Sequence, residues 1–232
     1  MKIKKERVDV LLVEQGLAET REKAKRAIMA GLVYANEERL DKPGEKIPGD
    51  TILTVKGKVM PYVSRGGLKL EKAIKEFHID LQDRVMLDIG SSTGGFTDCG
   101  LQNGVKMSYA LDVGYNQLAW KLRQDERVVV MERTNFRYVT PADLVGEMPN
   151  FASIDVSFIS LTLILPVLKT LLVSNSEVVA LIKPQFEAGP KNINKNGVVK
   201  DIKIHKKIIL NVILLANKLG FAILDLDYSP IK

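Results

Sequence analysis

The stretch Val85–Asp98, V-M-L-D-I-G-S-S-T-G-G-F-T-D, decides how the rest of the chain is read. Val85 to Ile89 is apolar apart from Asp88, which is the pattern of a short strand covered on both faces. Gly90, Gly94 and Gly95 come next, and residues without a Cβ let a backbone turn sharply and approach a ligand closely. Phe96 to Gln102 then reads as a helix whose first N–H groups face that ligand. The unit is a nucleotide-cofactor cradle, although strand, glycine turn and helix also occur as plain architecture. Ser92 stands where the dinucleotide fingerprint G-x-G-x-x-G has its second glycine, which points away from a pyrophosphate-bearing cofactor.

Outward from this turn, apolar runs and amphipathic stretches alternate. Strands are expected over Met107–Val113, Val128–Met131, Phe151–Val156, Glu177–Ile182 and Phe221–Asp227, and helices over Asn116–Arg123, Ser160–Val173 and Ile202–Leu219. Such alternation means an α/β fold with a parallel sheet, whose ligand lies outside the carboxyl ends of the strands. Asp88, Asp112, Asp155 and Lys183 are all expected at strand ends, where polar residues without a role would be scattered at random. Asp112, about 20 residues past the turn, stands where an acid bonds ribose hydroxyls in nucleotide-binding sheets. Thr134 and Asn135 follow the next strand and suit an adenine pocket. Asp155, in I-D-V-S-F-I-S-L, and Lys183, in A-L-I-K-P-Q-F-E-A-G, share one edge of the sheet. A salt bridge would explain a lysine and an acid; it would not explain that shared edge.

Before the turn, S-R-G-G-L-K-L-E-K-A-I breaks the chain with two glycines and starts an amphipathic helix with Lys69 in its first turn, where a cation gains nothing from the helix dipole. Lys56 to Pro61 reads as a linker, and residues 1–60 as a separate small module. Val8, Leu11, Leu12 and Leu17 have helical spacing, Thr20 is the N-cap of a helix over Arg21–Ala30, and Gly31 ends it. L-V-Y-A-N-E-E-R-L gives strand, turn and strand, and Thr51–Val55 closes the module.

R-V-D-V-L-L-V-E-Q-G-L-A, R-E-K-A-K-R-A-I-M-A-G-L-V-Y-A-N and D-T-I-L-T-V resemble the S-four (S4) RNA-binding domain. That resemblance implies RNA contacts at Arg7, Arg21, Lys25 and Arg26, reaching mainly phosphates and so fixing position more than sequence. From Tyr62 onward, Y-V-S-R-G-G-L-K-L, D-I-G-S-S-T-G-G-F-T-D, L-D-V-G-Y-N-Q-L, D-V-S-F-I-S-L and I-K-P-Q-F-E-A-G stand in the order found in the TlyA or hemolysin A-like family of FtsJ-like RNA 2′-O-methyltransferases. What this implies is a Rossmann-like, S-adenosylmethionine-dependent methyltransferase sheet over residues 61–232 behind a small α+β RNA-binding domain. The methyl acceptor would be a ribose 2′-hydroxyl of structured ribosomal RNA or a ribosomal subunit, a cytidine in the family.

The resemblance carries Lys69, Asp155 and Lys183 over as three of four catalytic residues, with Asp88, Gly90, Ser91, Gly94, Gly95, Phe96, Asp112 and Asn135 at the cofactor. The family's fourth residue, a glutamate after an S-P-I-x-G-P-x-G-N-type stretch, is not reached, because the chain stops at Tyr228-Ser-Pro-Ile-Lys232; the domain is expected to lack its C-terminal end. Glu187 has no support from the family motif for that role. In the expected chemistry, Lys183 takes the 2′-hydroxyl proton while Asp155 and Lys69 orient the oxygen, since cations crowded about one acid and a sulfonium disfavour one another's charge.

Composition narrows the alternatives. With 232 residues, 46% hydrophobic, the chain can hold one medium domain and a small appendage. The single cysteine, Cys99, excludes an internal disulfide framework and a cysteine-based metal site and suits a reducing cytoplasm; His78 and His205 are too isolated to form a ligand cluster, so no metal is expected. The formal charge of +6 suits a polyanionic partner, and Met1–Arg65 holds a net +4 of it in just over a quarter of the length. No secretory h-region is visible, and the longest apolar stretch, Phe158–Val173, is interrupted by Pro166 and Lys169 and is shorter than the roughly 20 residues that cross a bilayer, so no membrane insertion is expected. Three rivals remain: an RNA-binding or assembly factor without turnover, a membrane-lytic hemolysin, and a nicotinamide-dependent oxidoreductase.

Overall fold

The computed structural model describes residues 4–57, 60–189 and 198–231 and divides into two compact units, Met1–Pro61 and Tyr62–Lys232. In the first, β1 (Lys5–Arg7) leads into helix α1 (Val8–Glu14), and α2 (Arg21–Met29) follows. The Thr20 side chain caps α2 by accepting from Lys23 N at 3.2 Å, as its position predicts. Strands β2 (Val33–Ala35) and β3 (Glu38–Arg39) form a hairpin, with Asn36 and Glu37 both at positive φ as a two-residue turn of that hand requires. β4 (Lys46–Pro48) pairs with β1, and β5 (Leu53–Val55) with β2, both antiparallel. Val8, Leu11 and Leu12 of α1 meet Ala24, Ala27 and Ile28 of α2 in one buried cluster, which the i, i+3, i+4 spacing of both helices makes possible.

In the second unit, helix α3 (Gly67–Glu76) precedes β6 (Val85–Ile89), α4 (Gly95–Gln102), β7 (Met107–Leu111), the single-turn helix α5 (Trp120–Arg123) and β8 (Val128–Met131). Then come β9 (Phe151–Ile154), α6 (Leu161–Leu171), β10 (Glu177–Ala180), the short α7 (Pro184–Glu187) and α8 (Ile202–Lys218). The sheet is parallel with order β10-β9-β6-β7-β8. The chain winds outward from β6 through β7 to β8 and then returns to the other side of β6. The reversal falls between β6 and β9, where a parallel sheet opens its ligand crevice. Every residue of β6 and β9 is buried. α6 lays Leu161, Ile164, Leu165, Leu168 and Leu171 against the sheet, so the apolar Phe158–Val173 stretch is a core helix, and among the described residues no helix is long and apolar enough to cross a membrane.

Two expectations fail. Phe221–Asp227 forms no strand: the amides of Leu226 and Tyr228 turn onto the carboxylates of Asp225 and Asp227, each at 2.7 Å, and Lys72 takes the Tyr228 carbonyl at 2.7 Å, which keeps these groups out of a ladder with β10. The helix expected over Asn116–Arg123 exists only from Trp120, because the Glu132 carboxylate accepts the amides of Asn116, Gln117 and Leu118 at 2.8, 3.0 and 3.3 Å and holds them as a loop.

Candidate active site

Gly90 ends β6 at φ +86, and a Cβ there would stand 2.7 Å from the Asp155 carbonyl oxygen, so only glycine lets the ends of β6 and β9 close on each other. Gly94 and Gly95 have a packing reason to lack a Cβ. A Cβ on Gly94 would strike Leu122 and Leu118 at 2.3 and 2.8 Å, and one on Gly95 would strike Ser64 Oγ and Gly67 N at 2.4 and 2.8 Å. Protein occupies both spaces. Their bareness lets α3 and α5 pack against α4, and the first of these contacts brings Lys69 to the sheet.

A cleft of about 880 Å³ lies at the carboxyl ends of the strands, large enough for a nucleoside-sized ligand. Of the eight expected cofactor residues, Gly90, Asp112 and Asn135 line it. Ser91 and Phe96 are buried at 5% and 3% exposure and, with Gly94 and Gly95, act as support. Asp88 is fully buried and directs both oxygens inward, accepting Thr97 N at 3.0 Å, Thr97 Oγ1 at 2.7 Å and Ser153 Oγ at 2.9 Å. Burial raises its pKa to about 6 against the pull of those hydrogen bonds. It ties β6 to α4 and β9 and contributes nothing to the cleft wall. Asp112 accepts Ser92 N at 2.8 Å and Gly114 N at 2.7 Å, which holds the glycine turn against the next loop.

Lys69, Asp155 and Lys183 come from three separate elements and meet. Lys69 Nζ donates to Asp155 Oδ2 at 2.8 Å. Lys183 Nζ stands 2.5 Å from Asp155 Oδ1 and donates to Ser157 Oγ at 3.2 Å. The Lys183–Oδ1 contact is ionic in distance but lacks hydrogen-bond geometry, so this oxygen, though buried, accepts no hydrogen bond among the described residues. All three side chains are 16–21% exposed; Asp155 lines the cleft, and Lys69 and Lys183 stand beside it through their pairing with that acid. The lysine misplaced for the helix dipole is thus held by an acid 86 residues away. Glu187 is committed elsewhere: it accepts Ser160 Oγ at 2.6 Å and Leu161 N at 2.8 Å and so caps α6. Among the described residues no cluster of metal-ligating side chains exists.

Sequence reasoning passed over Gln117, Ser157 and Phe158, which also line the cleft. Phe158 is 92% exposed at φ +63, 5.1 Å from the ring of Phe186. A bulky residue in the left-handed region leaves no mark in a hydrophobicity pattern.

In the first unit, Arg7 Nε and Nη2 donate to Asp9 at 2.8 and 3.0 Å, and Arg21 Nη2 donates at 3.0 Å. The Arg7 hydrogen bonds, with Arg21 behind them, outweigh burial and hold Asp9 down at about 2. Lys25 pairs with Glu22 at 2.6 Å. Arg26 is exposed and forms no ion pair among the described residues.

A parallel sheet with a glycine turn at its switch point and an acid closing the second strand defines a Rossmann-like fold of the kind that binds a nucleotide cofactor. The chain belongs to the FtsJ-like methyltransferase family, whose model matches residues 62–232, and residues 6–53 match the S4 domain. Among relatives, YqxC of Bacillus subtilis is 68% identical over all of this chain and 82% of its own length. The 16S/23S rRNA (cytidine-2'-O)-methyltransferase TlyA of Mycobacterium tuberculosis is 41% identical over 97% of this chain and 84% of that protein. A solved structure from Streptococcus thermophilus that bears a hemolysin name is 58% identical, with a TM-score of 0.75 over 99% of this chain and 84% of that one.

Proposed function

We propose that this enzyme transfers a methyl group from S-adenosylmethionine to a ribose 2′-hydroxyl of ribosomal RNA, a cytidine by likeness to its TlyA relative, in the cytoplasm. The observation that carries the reading is the meeting of Lys69 and Lys183 on Asp155 beside the cleft. The cleft fits the cofactor chemically: Gly90 brings backbone to its wall, Ile89, Leu111 and Phe136 give apolar walls, and Asp112 keeps acceptor capacity for ribose hydroxyls beyond its two backbone bonds. When bound, S-adenosylmethionine supplies an electrophilic sulfonium methyl, which needs only a correctly aimed nucleophile.

The chain's own residues aim it. Lys69 fixes Oδ2 of Asp155, and Lys183 Nζ, paired with Oδ1, is the group that meets the incoming hydroxyl. Lys183 is the base in this scheme: it takes the hydroxyl proton, and Asp155 holds the ammonium that results. The S4 unit docks the RNA by its phosphates, with Arg26 exposed and Arg7, Arg21 and Lys25 acting from their ion pairs.

Incubating the enzyme and Lys183→Ala with ribosomal subunits and methyl-labelled cofactor tests this. Label should enter RNA and resist alkaline cleavage at one nucleotide, and the variant should lose roughly 10²- to 10⁴-fold in rate. Label elsewhere than a ribose, or undiminished transfer by the variant, overturns the reading.

A further inference from the structure

The loop between β7 and α5 is held more tightly than an exposed connection needs. Its amides at Asn116, Gln117 and Leu118 go to Glu132, Gly114 N to Asp112 and Ala119 N to Thr93 O at 3.1 Å, while Arg133 N returns to Gly114 O at 2.9 Å. Glu132 is itself braced by the Arg123 guanidinium, which also donates to Leu118 O at 3.0 Å. Burial works against the Glu132 charge, yet the three amides and Arg123 pull its pKa down to about 2, so the brace is in place at any working pH.

What the brace presents is Gln117. Its side chain is exposed, lines the cleft, and lies over Gly114, where a Cβ would meet Gln117 Nε2 at 2.3 Å and Asp112 Oδ1 at 3.0 Å. Gly114 is therefore bare where an amide and a carboxylate come together. Asp112 can only accept, whereas a ribose hydroxyl both donates and accepts; the Gln117 amide supplies the missing donor.

We propose that Gln117 is a second polar contact to the ribose of the bound cofactor, beside Asp112, and that Glu132 is the positioning residue that holds it there. The inference rests on the reading of the cleft as an S-adenosylmethionine site. It assigns Glu132 no contact with the ligand, so its effect must pass through the loop.

A double-mutant cycle read by calorimetric binding of S-adenosylmethionine and of S-adenosylhomocysteine to the full chain tests both parts. Gln117→Ala should weaken binding about five-fold, the worth of one neutral hydrogen bond. Glu132→Gln, which replaces an acceptor pair by one acceptor and a clashing donor, should weaken it at least ten-fold, and Glu132→Asp should recover part of that loss. The double variant should bind no more than about two-fold more weakly than Glu132→Gln alone, because the second change removes a contact already lost. In methyl transfer, Glu132→Gln should raise the cofactor KM far more than it lowers kcat. Wild-type affinity in either single variant, losses that multiply, or a kcat loss as large as the KM change overturns the assignment. If Glu132→Gln fails to fold by circular dichroism, the Glu132→Asp and Gln117→Ala cycle carries the same criteria. A wild-type chain that binds neither ligand removes the cofactor reading itself, a result distinct from all of these.

Discussion

Two carboxylates in this molecule each hold two cations, and they do opposite things. Asp9 is fully buried, and both its oxygens are satisfied by the forked guanidinium of Arg7 and by Arg21. Asp155 is partly exposed beside a cleft, is held by two lysines, and has one oxygen that accepts no hydrogen bond among the described residues. A guanidinium stays charged at any working pH and bonds a carboxylate in a fixed planar geometry, so the first triad is a strut. A lysine is a rotatable point charge with no fixed fork, and the second triad is the one proposed above for chemistry. Equal charge counts conceal different roles; ligand type and satisfaction separate them.

Exchanging the cation types is the sharpest way to break the comparison. Lys183→Arg keeps the ion pair and the fold, yet should abolish methyl transfer to nearly the same extent as Lys183→Ala, on the order of 10²-fold or more, with an unchanged melting temperature. Retained activity in the arginine variant would mean that Lys183 orients and never takes a proton.

Asp9→Ala should leave cofactor binding and the chemical step untouched and destabilise the first unit by on the order of 2 kcal/mol. The basis is roughly 1.4 kcal/mol per unit of depressed pKa, held to the low side because both arginines are substantially exposed. Hydrogen exchange of the α1 and α2 amides reads this directly, and protection equal to wild type would show the strut to be idle.

The same group sets an acid limit. Its folded pKa lies below the ordinary value of 3.8, so its stabilisation is present above about pH 4 and is lost as pH falls through about 2. Protection in α1 should drop across that window in the wild type and show no such step in Asp9→Ala. The smallest effect belongs to Arg7→Lys, which keeps the charge but loses the fork and should cost about 1 kcal/mol in the same measurement.

Much of this architecture is legible along the chain because it follows from local pattern. The spacing of Val8, Leu11 and Leu12 predicts a buried helical face, and Thr20 announces the start of α2. The apolar runs ending in Asp112 and Asp155 predict strands whose ends converge, since parallel winding leaves only one edge for them. Lys69 is legible as an anomaly: a cation in a first helical turn needs a partner, and Asp155 is that partner.

What stayed illegible shares a cause. That Leu118 and Leu122 fill the Cβ position of Gly94, and Ser64 and Gly67 that of Gly95, is announced by nothing local, because a glycine that makes room for protein and one that makes room for a ligand look alike in sequence. Asn116–Leu118 has an acceptable helical pattern but loses its amides to Glu132, 14 to 16 residues on. Phe221–Asp227 alternates like a strand but turns its amides onto its own aspartates.

The sequence by itself determined the fold class and the two-unit division of its motifs, and it singled out Lys69, Asp155 and Lys183 before the fold brought them together, because residue type and periodicity act over a few positions. Tertiary structure alone decided which lysine meets which oxygen of Asp155, which glycines face protein instead of cleft, and that Gln117 stands beside Asp112. Those depend on where a carboxylate far along the chain finds its donors, and a buried or braced carboxylate takes whichever N–H groups the finished fold brings within reach.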